Sequence, residues 1–444
     1  MGKQIVVIDL VGAVPRHFDR PALFPELARL FRTGGVRPLR PVFPAVTCPV
    51  QVSLVTGSLP SQHGIVANGL YDRAARRATM WTWPAARIER PPLWEVLRKR
   101  LPRARTAVMF FQGLKAATAD IYVNPHPKHT PDGRTLPWCD SRPETLYPHL
   151  VQSLGHFPLH SYWGPMAGIE STHWILNASL RTLAQFKPEL SLIYVPHLDY
   201  VGQRSGPDAA EFATESRRVD ALVAQFIVDL RKAFAPSRPT VLLLSEYALA
   251  AVSRAACPNL ALRDAGLLTT KIEDDAELLD LAGSRAFALV DHQVAHVYAA
   301  PDAIDDAAAV LADLEGVAEV CRGDRLRELG VAHANAGDLV LLSEPDAWFA
   351  YYWWDNPARA PAFARTVDIH RKPGYDPAEL FFEPGTRSIS LDPNVVRGSH
   401  GLPADTAARS GLLAGTEPLA LPPGELSVTE LASALVRALT SGEL

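Results

Sequence analysis

Residues 43–65 read FPAVTCPVQVSLVTGSLPSQHGI, and this stretch carries the most specific signal in the chain. Thr47 follows a short apolar run, and Pro49 lies two residues later, where proline is tolerated in the first turn of a helix. The stretch closes on Gly57 and Gly64, residues that favour helix ends and turns. The pattern predicts a helix that begins at Thr47. A helix start offers N–H groups and a positive dipole end to an anion, whereas the alternative role for Thr47 is to cap the helix.

Four short apolar runs elsewhere predict buried parallel strands, because strands covered on both faces are apolar throughout. The runs are QIVVID (4–9), TAVMFF (106–111), LSLIYV (190–195) and TVLLLS (240–245). The spacing of apolar residues predicts helices at 23–31 and 208–234. This alternation is typical of an α/β fold with a central, mostly parallel sheet and helices on both faces. Ligands bind at the carboxyl ends of such strands, which is where QIVVID places Asp9.

The apolar pattern changes after residue 250, where shorter runs and an acidic helix at 302–314 follow the long strands. SRAFALV and VAHVYAAP precede that helix, and VAEVC follows it. We interpret residues 250–337 as a small α+β cap insert, and residues 1–249 and 338–444 as the core. The run GDLVLLSEP is expected to return the chain to the core, and ELSVTELASALVRALTS predicts a closing helix.

The charge balance of 44 Lys and Arg against 48 Asp and Glu gives a net charge of −4 over 444 residues. This balance excludes binding to polymeric nucleic acid, which requires concentrated positive charge. No apolar stretch approaches the roughly 20 residues of a membrane span, and Asp9 interrupts the N-terminal run, unlike a signal peptide. Four separated cysteines without a CxxC pair predict reduced thiols. We expect a cytoplasmic protein, and its oligomeric state stays open.

The stretch around Thr47 resembles the nucleophile segment of the type I phosphodiesterase/nucleotide pyrophosphatase family, in the alkaline phosphatase superfamily. The resemblance rests on Phe43, Pro44, Thr47, Ser53, Leu54, Val55, Thr56, Gly57, Pro60, His63, Gly64, Ile65, Asn68 and Asp72. It implies an alkaline-phosphatase-like core in which Thr47 attacks phosphorus while bound to a metal ion, and in which Asn68 holds a phosphoryl oxygen. The physical logic agrees, because a metal lowers the pKa of a weakly nucleophilic alcohol.

Seven positions of the chain correspond, by this resemblance, to metal ligands of the family. Four of these positions match the family: Asp9 in VVIDLVG, Thr47 in the nucleophile segment, Asp199 in VPHLDYVGQRSGP (195–207) and His400 in VRGSHGL (396–402). At the other three positions, Gln203 and Tyr247 replace histidines and Glu246 replaces an aspartate. The resemblance therefore implies a metal site with an altered ligand set.

The altered ligands change which metal ion the site should prefer. Glu246 keeps a carboxylate, Gln203 offers a carbonyl oxygen, and Tyr247 could bind as a phenolate or only donate a hydrogen bond. An oxygen-rich set with one imidazole shifts the relative preference from Zn²⁺ toward Mn²⁺ or Mg²⁺. We expect two divalent ions, whose identity as zinc, manganese or magnesium stays open. One would bind Asp9, Glu246 and Tyr247 beside Thr47, and the other Asp199, Gln203 and His400.

Two further groups of Asp and His could add ligands for a metal ion or for the substrate. DHQVAH supplies Asp291, His292 and His296, and VDIHRKPGYDP supplies Asp368, His370 and Asp376. The alternative is that the first group lies on a cap strand with its two histidines on one side, and that the second is a polar loop.

The leading hypothesis from the sequence is a metal-dependent hydrolase of phosphodiester or phosphoanhydride bonds in a small phosphorylated substrate. Thr47 would form a phosphothreonine that water then cleaves. One alternative is a metal-deficient pseudoenzyme or a phosphate-ligand-binding protein on the same fold. Another is a hydrolase of phosphonates or phosphomonoesters. Fold-level resemblance alone does not decide among them.

Overall fold

The computed structural model describes residues 3–20, 22–114, 117–129, 135–418 and 424–441. Its strands, in chain order, are β1 (Ile5–Leu10), β2 (Val36–Arg40), β3 (Gly69–Asp72), β4 (Arg77–Met80), β5 (Thr106–Met109), β6 (Ile121–Pro125), β7 (Lys128–His129), β8 (Thr135–Leu136), β9 (Cys139–Arg142), β10 (Leu190–Val195), β11 (Thr240–Ser245), β12 (Ala250–Ala251), β13 (Arg254–Ala256), β14 (Thr270–Glu273), β15 (Ala276–Leu279), β16 (Ala286–Asp291), β17 (Val294–Ala299), β18 (Val317–Cys321), β19 (Leu339–Ser343), β20 (Ala347–Phe349), β21 (Gly398–Ser399), β22 (Gly411–Gly415) and β23 (Leu426–Ser427).

The α-helices, in the same order, are α1 (Pro15–Phe18), α2 (Pro25–Leu30), α3 (Thr47–Thr56), α4 (Pro60–His63), α5 (Leu93–Arg100), α6 (Leu146–Leu154), α7 (Ile169–Phe186), α8 (His197–Ser205), α9 (Ala210–Phe234), α10 (Pro258–Asp264), α11 (Ile304–Ala312), α12 (Asp324–Glu328) and α13 (Val428–Ser441). Short 3-10 helices cover Ala85–Arg87, Leu159–Ser161, Pro357–Arg359, Ala362–Arg365, Pro377–Leu380, Pro393–Val395 and Ala407–Arg409.

Nine strands form one sheet in the order β23, β2, β22, β11, β1, β10, β5, β6, β9. The block from β11 to β6 is parallel throughout, whereas β22 and β9 pair antiparallel with their neighbours. Every residue of β1, β5, β10 and β11 is buried, which explains why these sequences are apolar without alternation. The four predicted strands and the mostly parallel α/β sheet are confirmed.

Two groups of helices pack around this sheet. α9 contacts α2, α7 and α8, and α13 contacts α3 and α5. α9 buries one apolar stripe, which includes Phe212, Val219 and Val223, and exposes charged residues on its other side. The helices predicted at 23–31, at 208–234 and in the closing segment are confirmed as α2, α9 and α13. Of the helices in the described ranges, none is both long and apolar enough to cross a lipid bilayer.

A second, antiparallel sheet lies in the region predicted to be a cap. Its strands run in the order β16, β17, β19, β18 over a separate hydrophobic cluster that includes Phe287, Leu311 and Trp348. The expectation that GDLVLLSEP returns the chain to the core is wrong, because β19 pairs with β17 and β18. A short apolar run can form a buried strand in either sheet. β19 pairs with β17 and β18 because these strands are close to it in the chain and need only short connections. The chain rejoins the nine-stranded sheet at β22.

The hairpin of β16 and β17 connects the cap sheet to the core. Asp291 ends β16, His292 and Gln293 form the turn, and His296 lies in β17. The backbone N–H of Gln293 donates to the carbonyl of His400 at 2.9 Å. The alternative that Asp291, His292 and His296 lie on one strand is therefore wrong, since a turn separates them.

Candidate active site

Neighbouring strands bring the predicted ligands to one edge of the large sheet. Asp9 lies near the end of β1, Glu246 directly follows β11, and Asp199 lies in the first turn of α8, just after β10. Thr47 begins α3, and His400 follows β21. All seven ligand positions implied by the sequence are at most 4% exposed. Hydrogen bonds and ring contacts join these residues into one buried cluster.

Thr47 is the first residue of α3, as predicted. The N-cap residue is Val46, in an extended conformation, so Thr47 does not take the capping role. The Thr47 hydroxyl instead shares a 3.0 Å hydrogen bond with the Tyr247 hydroxyl. At the other end of α3, Gly57 adopts φ +63° and its N–H donates to the Ser53 carbonyl at 2.8 Å. The start of α3 thus holds the Thr47 side chain in contact with the cluster.

Asp9 and Glu246 form the acidic half of the cluster. Burial raises the pKa of Asp9 to about 7, and burial together with the charge of Asp9 raises the pKa of Glu246 well above its usual range. Glu246 Oε1 accepts a 2.5 Å hydrogen bond from Gln51 Nε2. Among the described residues, both oxygens of Asp9 and Oε2 of Glu246 are buried without a hydrogen-bond partner of normal geometry. Two neighbouring buried carboxyl groups are costly when both are ionised, so this half fits a divalent cation.

Asp199 and His400 form the second half. His400 Nδ1 donates to the Ala45 carbonyl at 2.7 Å, which leaves Nε2 unprotonated in the neutral ring. Burial lowers the pKa of His400 to about 3 and raises the pKa of Asp199 to about 8. His400 Nε2 lies 3.7 Å from Asp199 Oδ1, and neither atom has a hydrogen-bond partner within the part of the chain that the structure describes. An imidazole nitrogen beside a carboxylate oxygen also fits a divalent ion.

Gln203 has other partners for both ends of its amide. Its Nε2 donates to Asp199 Oδ2 at 2.7 Å, and its Oε1 accepts from the Tyr375 hydroxyl at 2.6 Å. Gln203 therefore holds Asp199 in place, and its role as a metal ligand stays a prediction that this geometry does not favour. The sequence reasoning missed Tyr375, although it lies in the VDIHRKPGYDP segment.

Tyr247 contacts the predicted nucleophile through its hydroxyl. Burial and the charges of Asp199 and Glu246 raise the pKa of Tyr247 well above its usual range, so the phenol stays protonated. Its ring stacks on His400 with the centroids 3.7 Å apart. A phenolate ligand role for Tyr247 is therefore not favoured and also stays a prediction.

His292 extends this ring stack from the cap side. Its ring centroid lies 3.7 Å from that of His400 and 3.7 Å from that of Tyr375. Burial lowers the pKa of His292 well below its usual range, so the ring is neutral. The rings of Tyr247, His400, His292 and Tyr375 thus form a continuous stack across the cluster, and the sequence named all of these residues except Tyr375 as candidates.

Asn68 and Asp291 form a hydrogen-bonded pair next to the start of α3. Asn68 Oδ1 accepts from the Cys48 backbone N–H at 2.8 Å. Asp291 Oδ1 accepts from Asn68 Nδ2 at 2.9 Å, and Asp291 Oδ2 accepts from the Asn68 backbone N–H at 2.7 Å. Burial raises the pKa of Asp291 to about 7. Because both oxygens are engaged, we interpret Asp291 as the residue that orients Asn68 rather than as a ligand.

His296 does not join the cluster. Its Nε2 donates to the Val66 carbonyl at 3.1 Å, and its Nδ1 accepts from the Gly337 backbone N–H at 3.2 Å. No ring nitrogen is left for a metal ion, so a ligand role for His296 is not supported and its role is structural.

The three predicted residues of the VDIHRKPGYDP segment, Asp368, His370 and Asp376, lie outside the cluster, in agreement with the polar-loop alternative. Asp376 accepts a 2.7 Å bond from the buried Lys372, which also contacts Glu379 at 2.7 Å. Asp368 pairs with Arg371, and His370 Nδ1 donates to the Met80 carbonyl at 3.2 Å.

Within residues 3–441, apart from the short segments that the structure does not describe, no three His, Cys, Asp or Glu side chains are arranged as ligands of one ion. At the seven predicted ligand positions, the unpartnered side-chain atoms instead fall into two pairs, Asp9 with Glu246 and Asp199 with His400. Their carboxylate and imidazole chemistry fits Mn²⁺, Mg²⁺ or Zn²⁺. The family's metal ions are therefore compatible with the residues present, with two strong donors for each.

Comparison with known proteins places the chain in a family. The sequence profile described as type I phosphodiesterase/nucleotide pyrophosphatase matches residues 5–376. An uncharacterized pyrophosphatase/phosphodiesterase of Schizosaccharomyces pombe is 25% identical over 256 residues, which are 56% of this chain and 45% of that protein. The chain thus spans less than half the length of that relative.

Solved structures share the fold over nearly the whole chain. Murine ectonucleotide pyrophosphatase/phosphodiesterase 5, in an inactive form in complex with AMP, is similar with a TM-score of 0.65 at 14% identity, covering 99% of this chain and 95% of that chain. Phosphonoacetate hydrolase from Sinorhizobium meliloti, in complex with phosphonoacetate, is similar with a TM-score of 0.64 at 16% identity, covering 98% and 96%. The chain belongs to the type I phosphodiesterase/nucleotide pyrophosphatase family.

Proposed function

We propose that the protein is a metal-dependent hydrolase of phosphodiester or phosphoanhydride bonds, with Thr47 as its nucleophile. The observation that carries the proposal is the position of the Thr47 hydroxyl, at the start of a buried helix and in the same cluster as carboxylate and imidazole atoms that lack partners. Membership of the family supports the reaction class.

Two groups of residues would hold the ions. Asp9 and Glu246 would hold one beside Thr47, and Asp199 and His400 would hold the other. Ions bound there would lower the pKa of the alcohol and of the attacking water and would neutralise charge on the phosphoryl oxygens.

Thr47 would carry the phosphoryl group between two displacement steps. Its Oγ1 would attack phosphorus, so that a new O–P bond forms and the P–O bond to the leaving group breaks, while the leaving oxygen takes up the proton that the Thr47 hydroxyl gives up. A water oxygen would then attack phosphorus in the phosphothreonine, the bond from phosphorus to Oγ1 would break, and one proton of that water would restore the Thr47 hydroxyl. Because the phenol of Tyr247 stays protonated, its O–H can donate to Thr47 Oγ1 as negative charge develops there.

Asn68 would hold a non-bridging phosphoryl oxygen. Its side-chain amide carries two protons, and Asp291 accepts one of them. The other proton serves the phosphoryl oxygen, together with backbone N–H groups at the start of α3. Asp291 acts as a positioning residue, since it binds both the backbone and the side chain of Asn68.

A cavity of about 220 Å³ lies next to His400, the one predicted ligand position in its wall. Arg16 and Arg409 also line it, each paired with an acidic neighbour, Asp208 at 3.7 Å and Asp405 at 2.9 Å. Because Thr47 does not line this cavity and both guanidinium groups are paired, its wall does not by itself indicate the charge of the substrate.

The test is hydrolysis by the purified full chain in Mn²⁺, Mg²⁺ or Zn²⁺. The substrates are bis(p-nitrophenyl) phosphate, p-nitrophenyl phosphate, ATP and phosphonoacetate. We expect the diester or the anhydride to be cleaved best, with turnover lost in Thr47→Ala and partly kept in Thr47→Ser, the matched control that retains a hydroxyl. Equal turnover by Thr47→Ala would contradict the proposal. Preferential cleavage of phosphonoacetate would keep the nucleophile and change the substrate class.

A second candidate is a phosphate-ligand-binding protein that has lost its metal ions. The observation that favours it is the engagement of Gln203 and Tyr247 by Tyr375 and Thr47, since both residues stand where the family has histidines. A chain that binds inorganic phosphate or AMP, takes up no divalent ion and hydrolyses none of the four substrates would support this candidate.

A further inference from the structure

Gln51 lies one helical turn after Thr47 in α3 and takes no part in the proposed reaction. Residues four positions apart lie on the same face of a helix, and this face of α3 contacts the segment after β11 twice. Thr47 bonds to Tyr247 at 3.0 Å, and Gln51 bonds to Glu246 at 2.5 Å. The Gln51 side chain is fully buried, at 0% exposure. Gln51 therefore connects the helix of the proposed nucleophile to the acidic half of the cluster.

The neighbours of Gln51 determine which end of its amide contacts Glu246. The backbone N–H of Gln112 can only donate, and it lies 2.6 Å from Gln51 Oε1. The other end of the amide is then Nε2, which donates to Glu246 Oε1. Because this bond engages one oxygen of Glu246, Oε2 is the oxygen that stays available. Among the described residues, Glu246 Oε2 is buried without a hydrogen-bond partner.

The second half of the cluster has the same arrangement. Gln203 Nε2 donates to Asp199 Oδ2 at 2.7 Å, and its Oε1 accepts from the Tyr375 hydroxyl at 2.6 Å. Asp199 Oδ1 is left without a hydrogen-bond partner in the part of the chain that the structure describes, 3.7 Å from His400 Nε2. Two buried glutamines on different helices thus each hold one oxygen of a carboxyl group and leave the other oxygen free.

We infer that Gln51 is a positioning residue, which holds Glu246 against α3 and keeps Oε2 available to the ion that Asp9 and Glu246 would bind. The inference rests on the proposed function. A glutamate side chain is long and flexible, and holding it in place before an ion binds reduces the conformational entropy that binding costs. Residues that hydrogen-bond to a ligating carboxylate orient it and strengthen the binding of the ion.

Mn²⁺ binding to the full chain, stripped with a chelator and followed by isothermal titration calorimetry, tests this role. Gln51→Met keeps the length of the side chain and removes both hydrogen bonds. Gln51→Asn keeps an amide but is one methylene too short to reach both partners. The matched control is Ser53→Ala, because Ser53 is equally buried in α3 and its hydroxyl bonds to His63 Nε2 at 2.8 Å, outside the cluster. Thermal unfolding in a chelator verifies that each variant folds.

We expect one of two Mn²⁺ ions to bind about 10-fold to 100-fold more weakly in the folded Gln51 variants, and we expect Ser53→Ala to keep the affinity for both ions. The weakened ion should be the one that Asp9→Asn loses. In a chain that already carries Asp9→Asn, Gln51→Met should therefore leave the affinity for the remaining ion unchanged. A general loosening of the fold would weaken that ion as well.

Four results would overturn the inference. Unchanged Mn²⁺ affinity in a folded Gln51 variant would do so while leaving the proposed function intact, since the wild-type chain would still bind its ions. An equal loss of affinity in Ser53→Ala would assign the effect to the packing of α3. Failure of both Gln51 variants to fold, where Ser53→Ala folds, would assign Gln51 to folding instead of positioning. Failure of the wild-type chain to bind Mn²⁺ would overturn the inference and the metal dependence together.

Discussion

Asp9→Asn should stabilise the metal-free protein at pH 8 and should reduce its stabilisation by divalent ions. Asp9 has two buried oxygens without hydrogen-bond partners of normal geometry among the described residues, next to the Glu246 carboxylate. Asparagine has nearly the same shape without the charge, and its amide can donate to Glu246. The substitution therefore removes a cost of the ion-free state and a ligand of the ion-bound state.

The size of the effect follows from the pKa of Asp9, which burial raises from 3.8 to about 7. The folded state holds this proton more tightly than the unfolded state. The stabilisation that this bound proton gives to the folded state is fully present below about pH 4 and is lost as the pH rises through about 7. Each unit of pKa corresponds to about 1.4 kcal/mol, so the ionised carboxylate costs the folded state up to about 4 kcal/mol at pH 8.

Urea unfolding of both proteins in a chelator, at one-unit steps from pH 5 to pH 8, measures this cost. The difference in free energy of unfolding between the variant and the wild type should grow by about 1.4 kcal/mol per pH unit up to about pH 7 and should stay constant above it. Added Mn²⁺ should raise the stability of the wild type more than that of the variant, which keeps the pair of Asp199 and His400. A variant that is no more stable than the wild type at pH 8 would contradict this prediction, because the protein would then neutralise Asp9 without an ion.

Three further predictions concern individual contacts of the cluster. Gln203→His restores the family's ligand and should tighten Zn²⁺ binding, measured by competition with a chromophoric chelator; unchanged affinity would show that the geometry near Asp199 excludes a ligand there. Tyr375→Phe loses the 2.6 Å bond to Gln203 and should lower the free energy of unfolding by about 1 kcal/mol in urea, whereas no loss would mean that the bond contributes nothing net. Asn68→Ala should reduce kcat about 100-fold for the best substrate with little change in ion content, and full activity would remove Asn68 from the phosphoryl site.

The sequence was sufficient to predict the central strands of the large sheet and the start of α3 at Thr47. Every residue of β1, β10 and β11 is buried, so each of these strands appears in the sequence as a short, mainly apolar run. Such a run can be recognised as a strand without knowledge of the tertiary structure. The helix start at Thr47 followed from a local proline pattern. β19 was assigned to the wrong sheet for the same reason that it was recognised as a strand, since LVLLS suits either buried sheet.

The partners of the altered ligands could not be predicted, because they come from distant parts of the chain. Tyr375 is 172 positions from Gln203, and the motif alone gives no sign that its hydroxyl takes the amide oxygen. His292 was noticed only as part of an Asp and His group. Its position beside His400 depends on the cap hairpin and on a positive φ that no sequence pattern around it indicates.

The most direct test of metal-dependent catalysis at this site is the number of ions bound per chain, measured by elemental analysis after exposure to Mn²⁺, Mg²⁺ or Zn²⁺ and removal of free metal. We expect about two ions in the wild-type chain, as in other two-metal phosphoryl-transfer sites, and fewer in Asp9→Asn. A folded wild-type chain that retains no ion under any of these conditions would contradict this expectation.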